Sequence, residues 1–171
     1  MKYYLSVLKK YAVFKGRASR REYWMFILFY FIFSVVAQIL DAIFKTNRLI
    51  SYNFPIHVLR IGNSQGLLAL LYSLILLIPS VAVTVRRLHD IGKSGWWALV
   101  FALISGIPII LASILIGSIE YKGGTISRGI NLLITLAMLI SLASVVWFIV
   151  WLALPGDPNE NAYGPVPEEN V

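Results

Sequence analysis

Four stretches of about twenty apolar residues constrain the fold of this chain more than any other feature. A helix that crosses a lipid bilayer needs about 20 mostly apolar residues. Only 13% of the 171 residues are charged, whereas soluble domains carry about a quarter. A chain of this length cannot bury four such helices inside a soluble fold. We therefore predict that the four stretches span a membrane. They are Tyr23–Phe44, Gly66–Val85, Trp96–Gly117 and Ile130–Leu154.

The predicted fold class is an all-α integral membrane protein with one membrane domain over residues 1–171. Residues 1–18 are predicted to form an interfacial helix and a linker, and residues 155–171 a cytoplasmic tail. Within residues 2–14, apolar and aromatic side chains share one helical face, opposite Lys2, Lys9 and Lys10. A basic amphipathic helix next to a span is expected to lie on the anionic cytoplasmic leaflet.

The distribution of Lys and Arg predicts that both termini are cytoplasmic. Ten basic residues fall on the N-terminal segment and the loop after the second span, and five fall on the other side. Loops rich in Lys and Arg stay in the cytoplasm. Tryptophan rings prefer the membrane interface, and all five lie in the cytoplasmic half of the predicted spans. These predicted interface anchors are Trp24, Trp96, Trp97, Trp147 and Trp151.

A helix-start motif precedes the first span. Ser19 and Glu22 have the spacing of a capping box, in which Ser19 accepts from the amide of Glu22 and Glu22 reaches back to the amide of Ser19. The arginines around the box have two interpretations, which both stay open. They either extend to the interface as ordinary flanking residues or form a headgroup or anion site at the helix N-terminus. The arginines are Arg17, Arg20 and Arg21.

The loop after the second span has the densest motif, RRLHDIGKSGWW over residues 86–97. Arg86 and Asp90 are four residues apart, so they are expected to pair on one helical face. Gly92 suits the left-handed position after a helix, and Ser94 suits the cap of the next one. Two arginines beside a helix N-terminus also predict a receptor for phosphate or carboxylate.

The predicted tail is rich in Pro and in turn-forming residues. Several of its polar residues have EF-hand spacing, but Ala162 replaces the invariant glycine, which argues against a calcium site. The chain has no cysteine, and its two histidines, His57 and His89, fall on opposite sides of the membrane, so no metal or cofactor is predicted. The acidic side chains of the tail are instead expected to dock against the basic loop.

Three segments together resemble one known family. Their sequences are FKGRASRREYW over residues 14–24, RRLHDIGKSGWW over 86–97 and NAYGP over 161–165. This combination is similar to the YhaH-like bacterial inner-membrane proteins, also known as domain of unknown function 805. The resemblance covers nearly the whole chain and implies a location in the bacterial inner membrane. It implies no activity, ligand or catalytic residue, and it leaves Pro55 and His57 in the loop of residues 45–65 unassigned.

The preferred functional prediction is a non-enzymatic protein that binds a lipid headgroup, an anion or a partner at its cytoplasmic face. Anionic membrane lipids are the expected ligands, with a homo-oligomer or a membrane-protein partner. Nucleic acid is not expected, because the net charge of +7 belongs to a largely apolar chain. Two alternatives stay open. The first is a subunit of an oligomeric channel or transporter, and the second is a lipid-modifying enzyme that acts through His89 and Asp90.

We name the predicted binding residues the collar. Replacing Arg86 and Arg87 by Ala is expected to remove co-purifying anionic lipid while the protein stays inserted. The collar comprises Arg17, Ser19, Arg20, Arg21, Glu22, Arg86, Arg87, His89, Asp90, Lys93, Ser94, Asp157 and Asn161.

Ion-coupled carriers keep ionisable residues at mid-membrane depth, and the predicted spans have none there.

Overall fold

A computed structural model of the chain describes residues 1–46, 66–121 and 127–167. The predicted loop residues Pro55 and His57 and the end of the tail lie outside this part. Five helices occur in the described ranges. They are α1 (Lys2–Lys9), α2 (Arg20–Phe44), α3 (Leu67–Asp90), α4 (Trp96–Tyr121) and α5 (Arg128–Ala153).

The prediction of four membrane-length apolar helices is confirmed by α2, α3, α4 and α5. The shortest of them, α3, has 24 residues, which at 1.5 Å per residue is about 36 Å and exceeds the hydrocarbon thickness of about 30 Å. Their ends differ modestly from the predicted ones. The largest difference is in α3, which continues past Val85 to Asp90 because the polar residues there find partners on neighbouring segments.

Helix boundaries follow the capping chemistry of the sequence. The hydroxyl of Ser19 accepts from the amide of Glu22 at 3.1 Å and begins α2, and Ser127 caps α5 in the same way. After α3, Gly92 takes the predicted left-handed conformation with φ of 69°. The hydroxyl of Ser94 accepts from the amide of Trp96 at 3.4 Å as α4 begins.

The helices pack as two antiparallel pairs, α2 with α3 and α4 with α5. In the second pair the contact is aromatic, and the ring centres of Phe101 and Phe148 are 4.8 Å apart. Most other side chains of these helices are exposed, as expected for surfaces that contact lipid. The buried hydrophobic cluster lies mainly between α1, α2 and α3. It comprises Tyr4, Val7, Ala18, Tyr23, Phe26, Leu76, Val83, Leu88 and Leu152.

Helix α1 is shorter than the amphipathic pattern of residues 2–14, because it ends before Lys10. Part of its apolar face packs against protein, since Val7 is buried and the ring of Tyr4 stacks on Phe26 with centres 5.6 Å apart. Leu5 on the same helix is 49% exposed. The apolar face is therefore shared between the protein interior and the surroundings.

The chain order brings four helix ends together at one end of the molecule. These are the starts of α2 and α4 and the ends of α3 and α5, as contacts of Arg86 with Glu22 and of Arg87 with Leu152 demonstrate. We call this the polar end, defined by residues 15–24, 86–97 and 152–164. The opposite end contains the last turn of α2 and the first turn of α3.

Candidate functional site

Asp90 lies at the centre of the polar end and is only 3% exposed. Its Oδ1 accepts from Nε of Arg17 at 2.9 Å, and its Oδ2 accepts from Nη1 of Arg87. Charge-assisted bonds of this kind are short and strong. One carboxylate thus joins the linker before α2 to the last turn of α3, and two guanidinium groups compensate its burial.

Arg17 holds the tail by donating hydrogen bonds to main-chain carbonyls of the tail. Nη1 of Arg17 donates to the carbonyl of Asn159 at 2.7 Å, and Nη2 donates to the carbonyl of Asp157 at 2.5 Å. The amide of Asp157 in turn donates to the carbonyl of Asp90 at 2.8 Å. The tail therefore packs at the polar end, but not through its acidic side chains as predicted, because carbonyl oxygens bind Arg17, which belongs to the linker rather than to the basic loop. The Asp157 carboxylate accepts instead from the side-chain amide of Asn161.

Arg87 connects the last turn of α3 to the end of α5. Its Nε donates to the carbonyl of Leu152 at 3.0 Å, and its Nη2 donates to the carbonyl of Leu154. The last carbonyls of a helix have no partner inside that helix, and basic side chains often satisfy them. The fully buried Arg87 does so for α5 while it also binds Asp90.

The predicted pairing of Arg86 with Asp90 is wrong. Nη1 of Arg86 donates to Oε1 of Glu22 at 3.0 Å, and Asp90 binds Arg17 and Arg87. Arg86 thus takes a partner from α2, whereas Asp90 binds Arg17 of the linker and Arg87, three residues before it on α3. Of the predicted capping box, the bond from the Glu22 amide to the Ser19 hydroxyl forms, whereas the described residues show no bond from the Ser19 amide to the Glu22 carboxylate, which binds Arg86.

The side chain of His89 contacts the tail and the linker and does not pair with the Asp90 carboxylate. Its ring stacks on Tyr163 with centres 3.9 Å apart, and Nδ1 lies 3.1 Å from the carbonyl of Gly16, to which it donates. The carbonyl of His89 accepts from the side chain of Asn161 at 3.0 Å. The two residues that the enzyme alternative requires, His89 and Asp90, therefore have separate partners.

The charged residues of the collar differ in exposure. Five of them are buried and form what we call the inner cluster, which comprises Arg17, Glu22, Arg86, Arg87 and Asp90. The exposed cations of the collar, together with Lys15, which was not predicted as part of it, form what we call the basic rim, which comprises Lys15, Arg20, Arg21 and Lys93. The remaining collar residues, Ser19, His89, Ser94, Asp157 and Asn161, are partly buried.

Two rim residues lie beside the end of α5. Nη1 of Arg20 is 3.5 Å from the carbonyl of Ala153, and Nζ of Lys93 is 5.3 Å from the ring centre of Trp151. Four of the five predicted anchor tryptophans are exposed, and the fifth, Trp151, is half-buried. Among the described residues, no group of three or more His, Asp or Glu side chains could hold a metal ion.

Asp41, at the opposite end, is a polar centre that sequence reasoning missed. It is 1% exposed, and its carboxylate accepts from the amides of Leu68 and Ala69 at 2.9 Å each and from the hydroxyl of Thr46. A carboxylate from α2 thus caps the start of α3. An acidic residue at the end of an otherwise apolar stretch, followed after a loop by Gly66, was the available signal.

Comparison with known proteins places these residues in a family context. A family model described as protein of unknown function (DUF805) matches residues 11–165. The chain is 41% identical over 103 residues to inner membrane protein YhaH of Escherichia coli strain K12, covering 60% of this chain and 74% of the relative. It is 42% identical over 101 residues to inner membrane protein YhaI, covering 59% and 71%. No solved structure matches.

A third relative extends the similarity along the chain. The uncharacterized protein YiiR of the same strain is 30% identical over 154 residues, which cover 88% of this chain and 83% of the relative. The family match includes every residue of the inner cluster and of the basic rim. These names describe a location for two of the relatives and an activity for none of the three.

Proposed function

Given that the chain belongs to the DUF805 family, with relatives named as inner-membrane proteins, we propose that it is a non-enzymatic module that binds anionic phospholipid headgroups at its polar end. The ligand class is the one that the collar residues predicted. The assignment of residues changes, however, because binding is placed on the basic rim and the inner cluster is given a structural role.

The division of charge at the polar end carries this proposal. The guanidinium groups of Arg17, Arg86 and Arg87 are buried and bind protein carboxylates or carbonyls. An anion that approaches from outside therefore meets the basic rim first. Each Lys or Arg near an anionic membrane surface contributes about 1 kcal/mol to the attraction. Replacing Arg86 and Arg87 by Ala is now expected to unfold the polar end rather than to remove lipid selectively.

The exposed tryptophans support placing this end at headgroup depth. Trp24, Trp96 and Trp97 lie within the first five residues of their helices and are exposed. Indole rings favour the zone between hydrocarbon and water, so the basic rim beside them would lie level with lipid phosphates. The excess of Lys and Arg on this side supports a cytoplasmic orientation of the polar end and both termini.

Lipid binding is tested by neutralising two cations at the polar end and, in a control variant, two cations at the opposite end. Arg20→Gln with Lys93→Gln should weaken the affinity for phosphatidylglycerol about 30-fold, since two cations contribute about 2 kcal/mol. The matched control, Lys45→Gln with Arg128→Gln, removes two exposed cations at the opposite end. Native mass spectrometry of nanodiscs with increasing phosphatidylglycerol measures both affinities. Equal affinities in the two variants would refute the role of the basic rim.

Orientation is tested by cysteine labelling, because the chain has no cysteine of its own. Ala162→Cys places a thiol on an exposed position of the tail, and Lys45→Cys places one at the opposite end. A membrane-impermeant maleimide should label Lys45→Cys in intact spheroplasts and Ala162→Cys only after lysis. The reverse pattern would contradict the cytoplasmic assignment.

The two alternatives have their own measurements. Solute flux in proteoliposomes that rises with protein content would favour the oligomeric channel. Turnover of lipid by the purified protein that disappears in His89→Ala would favour the enzyme. We favour the binding module over the enzyme because the side chains of His89 and Asp90 are held by separate structural partners.

A further inference from the structure

A groove of about 310 Å³ lies between α4 and α5 and begins next to the polar end. Its lining is apolar except for Ser144, whose hydroxyl donates to the carbonyl of Ser141 at 2.8 Å and so is satisfied within its own helix. An apolar, open groove of this kind suits a hydrocarbon chain better than a polar solute. The lining residues are Trp97, Phe101, Ala143, Ser144, Trp147 and Trp151.

The length of the groove is close to the thickness of one leaflet of a bilayer. On α4 it begins at Trp97, in the first turn, and on α5 it extends from Trp151 back to Ala143. Trp151 and Ala143 are eight positions apart, which corresponds to about 12 Å. One leaflet contributes half of the hydrocarbon thickness of about 30 Å. An acyl chain that enters from the polar end would thus lie along the groove for most of one leaflet.

Two cations stand where the groove meets the polar end. Nζ of Lys93 lies 5.3 Å from the ring centre of Trp151, which lines the groove, and the guanidinium of Arg20 contacts the carbonyl of Ala153 just beyond it. Apolar lining with cations at the mouth is complementary to an anionic amphiphile. A symmetric contact with a second copy would place the same patch against itself and bring four cations together.

We propose that this groove seats one acyl chain of an anionic phospholipid whose phosphate binds Lys93 and Arg20. The inference rests on the proposed function and deepens it, because it assigns one specific lipid site where the basic rim alone predicts only general attraction. The groove supplies the hydrophobic part of the site, and the two cations select an anionic headgroup over a zwitterionic one.

The tryptophans of the chain provide the test, since three line the groove and two do not. Brominated acyl chains quench tryptophan fluorescence on contact. The variant Trp24→Phe with Trp96→Phe retains only the three groove tryptophans. In phosphatidylcholine nanodiscs, brominated phosphatidylglycerol should quench them half-maximally at a mole fraction about 30-fold lower than brominated phosphatidylcholine requires, the factor expected for two cations. Lys93→Gln in the same background should reduce that preference.

A blocking substitution tests the site itself. Ala143 is exposed within the groove, so Ala143→Phe should fill it without disturbing the buried core and abolish the quenching at low mole fraction. The matched control, Val146→Phe, adds the same ring to an exposed position of α5 outside the lining and should leave the quenching unchanged.

The possible failures are distinguishable. Equal responses to both brominated lipids, with no preference for phosphatidylglycerol in the mass spectra, would refute the proposed function and this inference together. A retained preference in the mass spectra, with identical quenching of Ala143→Phe and Val146→Phe, would refute the groove alone. A dimer in the mass spectra that dissociates in Ala143→Phe, with no quenching at low mole fraction, would assign the groove to a second copy and overturn the lipid.

Discussion

Two buried carboxylates lie at opposite ends of the α2–α3 pair, and they are satisfied by different kinds of donor. At the polar end, Asp90 binds the guanidinium groups of Arg17 and Arg87. At the opposite end, Asp41 binds two backbone amides in the first turn of α3. The first carboxylate joins charged side chains from separate segments, whereas the second uses the dipole and unpaired amides that any helix start provides.

Both carboxylates also pack against a glycine. A Cβ atom at Gly156 would overlap the Asp90 carboxylate, and one at Gly66 would overlap the Asp41 side chain. Gly66 has φ of −80°, which any residue can adopt. Glycine is therefore needed at position 66 because a Cβ atom would not fit beside Asp41, and not because of the backbone conformation. Each end of the helix pair thus combines a buried acid with a close approach of backbone.

The largest effect is expected from Asp90→Asn, which leaves two buried guanidinium groups without their counter-charge. Breaking a buried ion pair in this way costs about 3–5 kcal/mol, so the free energy of unfolding in detergent should fall by that amount. Asp157→Asn is the control, because the Asp157 carboxylate accepts from Asn161 and its contact with Arg17 uses the backbone carbonyl. Similar losses in both variants would contradict the central role of Asp90.

A second prediction tests whether Glu22 and Arg86 stabilise the polar end as a pair of their own, apart from Asp90. Glu22→Gln should cost about 3 kcal/mol, because it leaves the Arg86 charge buried. Adding Arg86→Met should recover part of this loss, since the buried charge is removed and Nε and Nη2 of Arg86 have no partner among the described residues. A double-mutant cycle on the free energy of unfolding measures the coupling. Strict additivity would show that the pair does not act as a unit.

The opposite end is tested by Gly66→Ala and Asp41→Ala. Either change should remove the cap from α3 and cost about 2 kcal/mol, the upper range for the loss of a helix cap. Because both variants disrupt the same contact, the double variant should cost little more than either single one. Gln38→Ala, at an exposed position of α2, is the control. Additive losses from Gly66→Ala and Asp41→Ala would indicate two independent contacts.

The difference between the two ends also explains what the sequence could predict. The four spans were predictable because their length and apolar content follow from bilayer thickness alone. The clustering of the two arginine motifs was predictable because antiparallel spans return them to one side. The tail was expected there for the same reason, and Arg17 does bind it.

The partners within the polar end could not be predicted from spacing. Arg86 and Asp90 have the correct separation for a helical pair, yet Arg86 binds Glu22, which is 64 positions away in sequence. Choosing between such partners requires knowing which face of α3 packs against α2 and the linker. Asp41 was harder still, because two of its three donors are backbone amides, which leave no residue signature. The glycine beside each carboxylate becomes informative only once the packing is known.

The smallest expected effect concerns His89. It tests whether a change at the polar end spreads to the opposite end of the helix pair. His89→Phe keeps a ring to stack on Tyr163 but removes the hydrogen bond from Nδ1 to Gly16, a net loss of about 1 kcal/mol. Because the polar end joins the linker, α3 and the tail, this loss should appear as faster amide exchange at Asn161 and Gly164, which bond to each other in the tail.

The amides of Leu68 and Ala69 at the opposite end should exchange at an unchanged rate, because Asp41 joins only the two helices that it contacts. Hydrogen–deuterium exchange with mass spectrometry in detergent measures both regions in one sample. Faster exchange at both ends would mean that His89 stabilises the whole helix pair. Faster exchange confined to the tail would mean that the polar end is a separable assembly, in which the tail can be released while the spans remain packed.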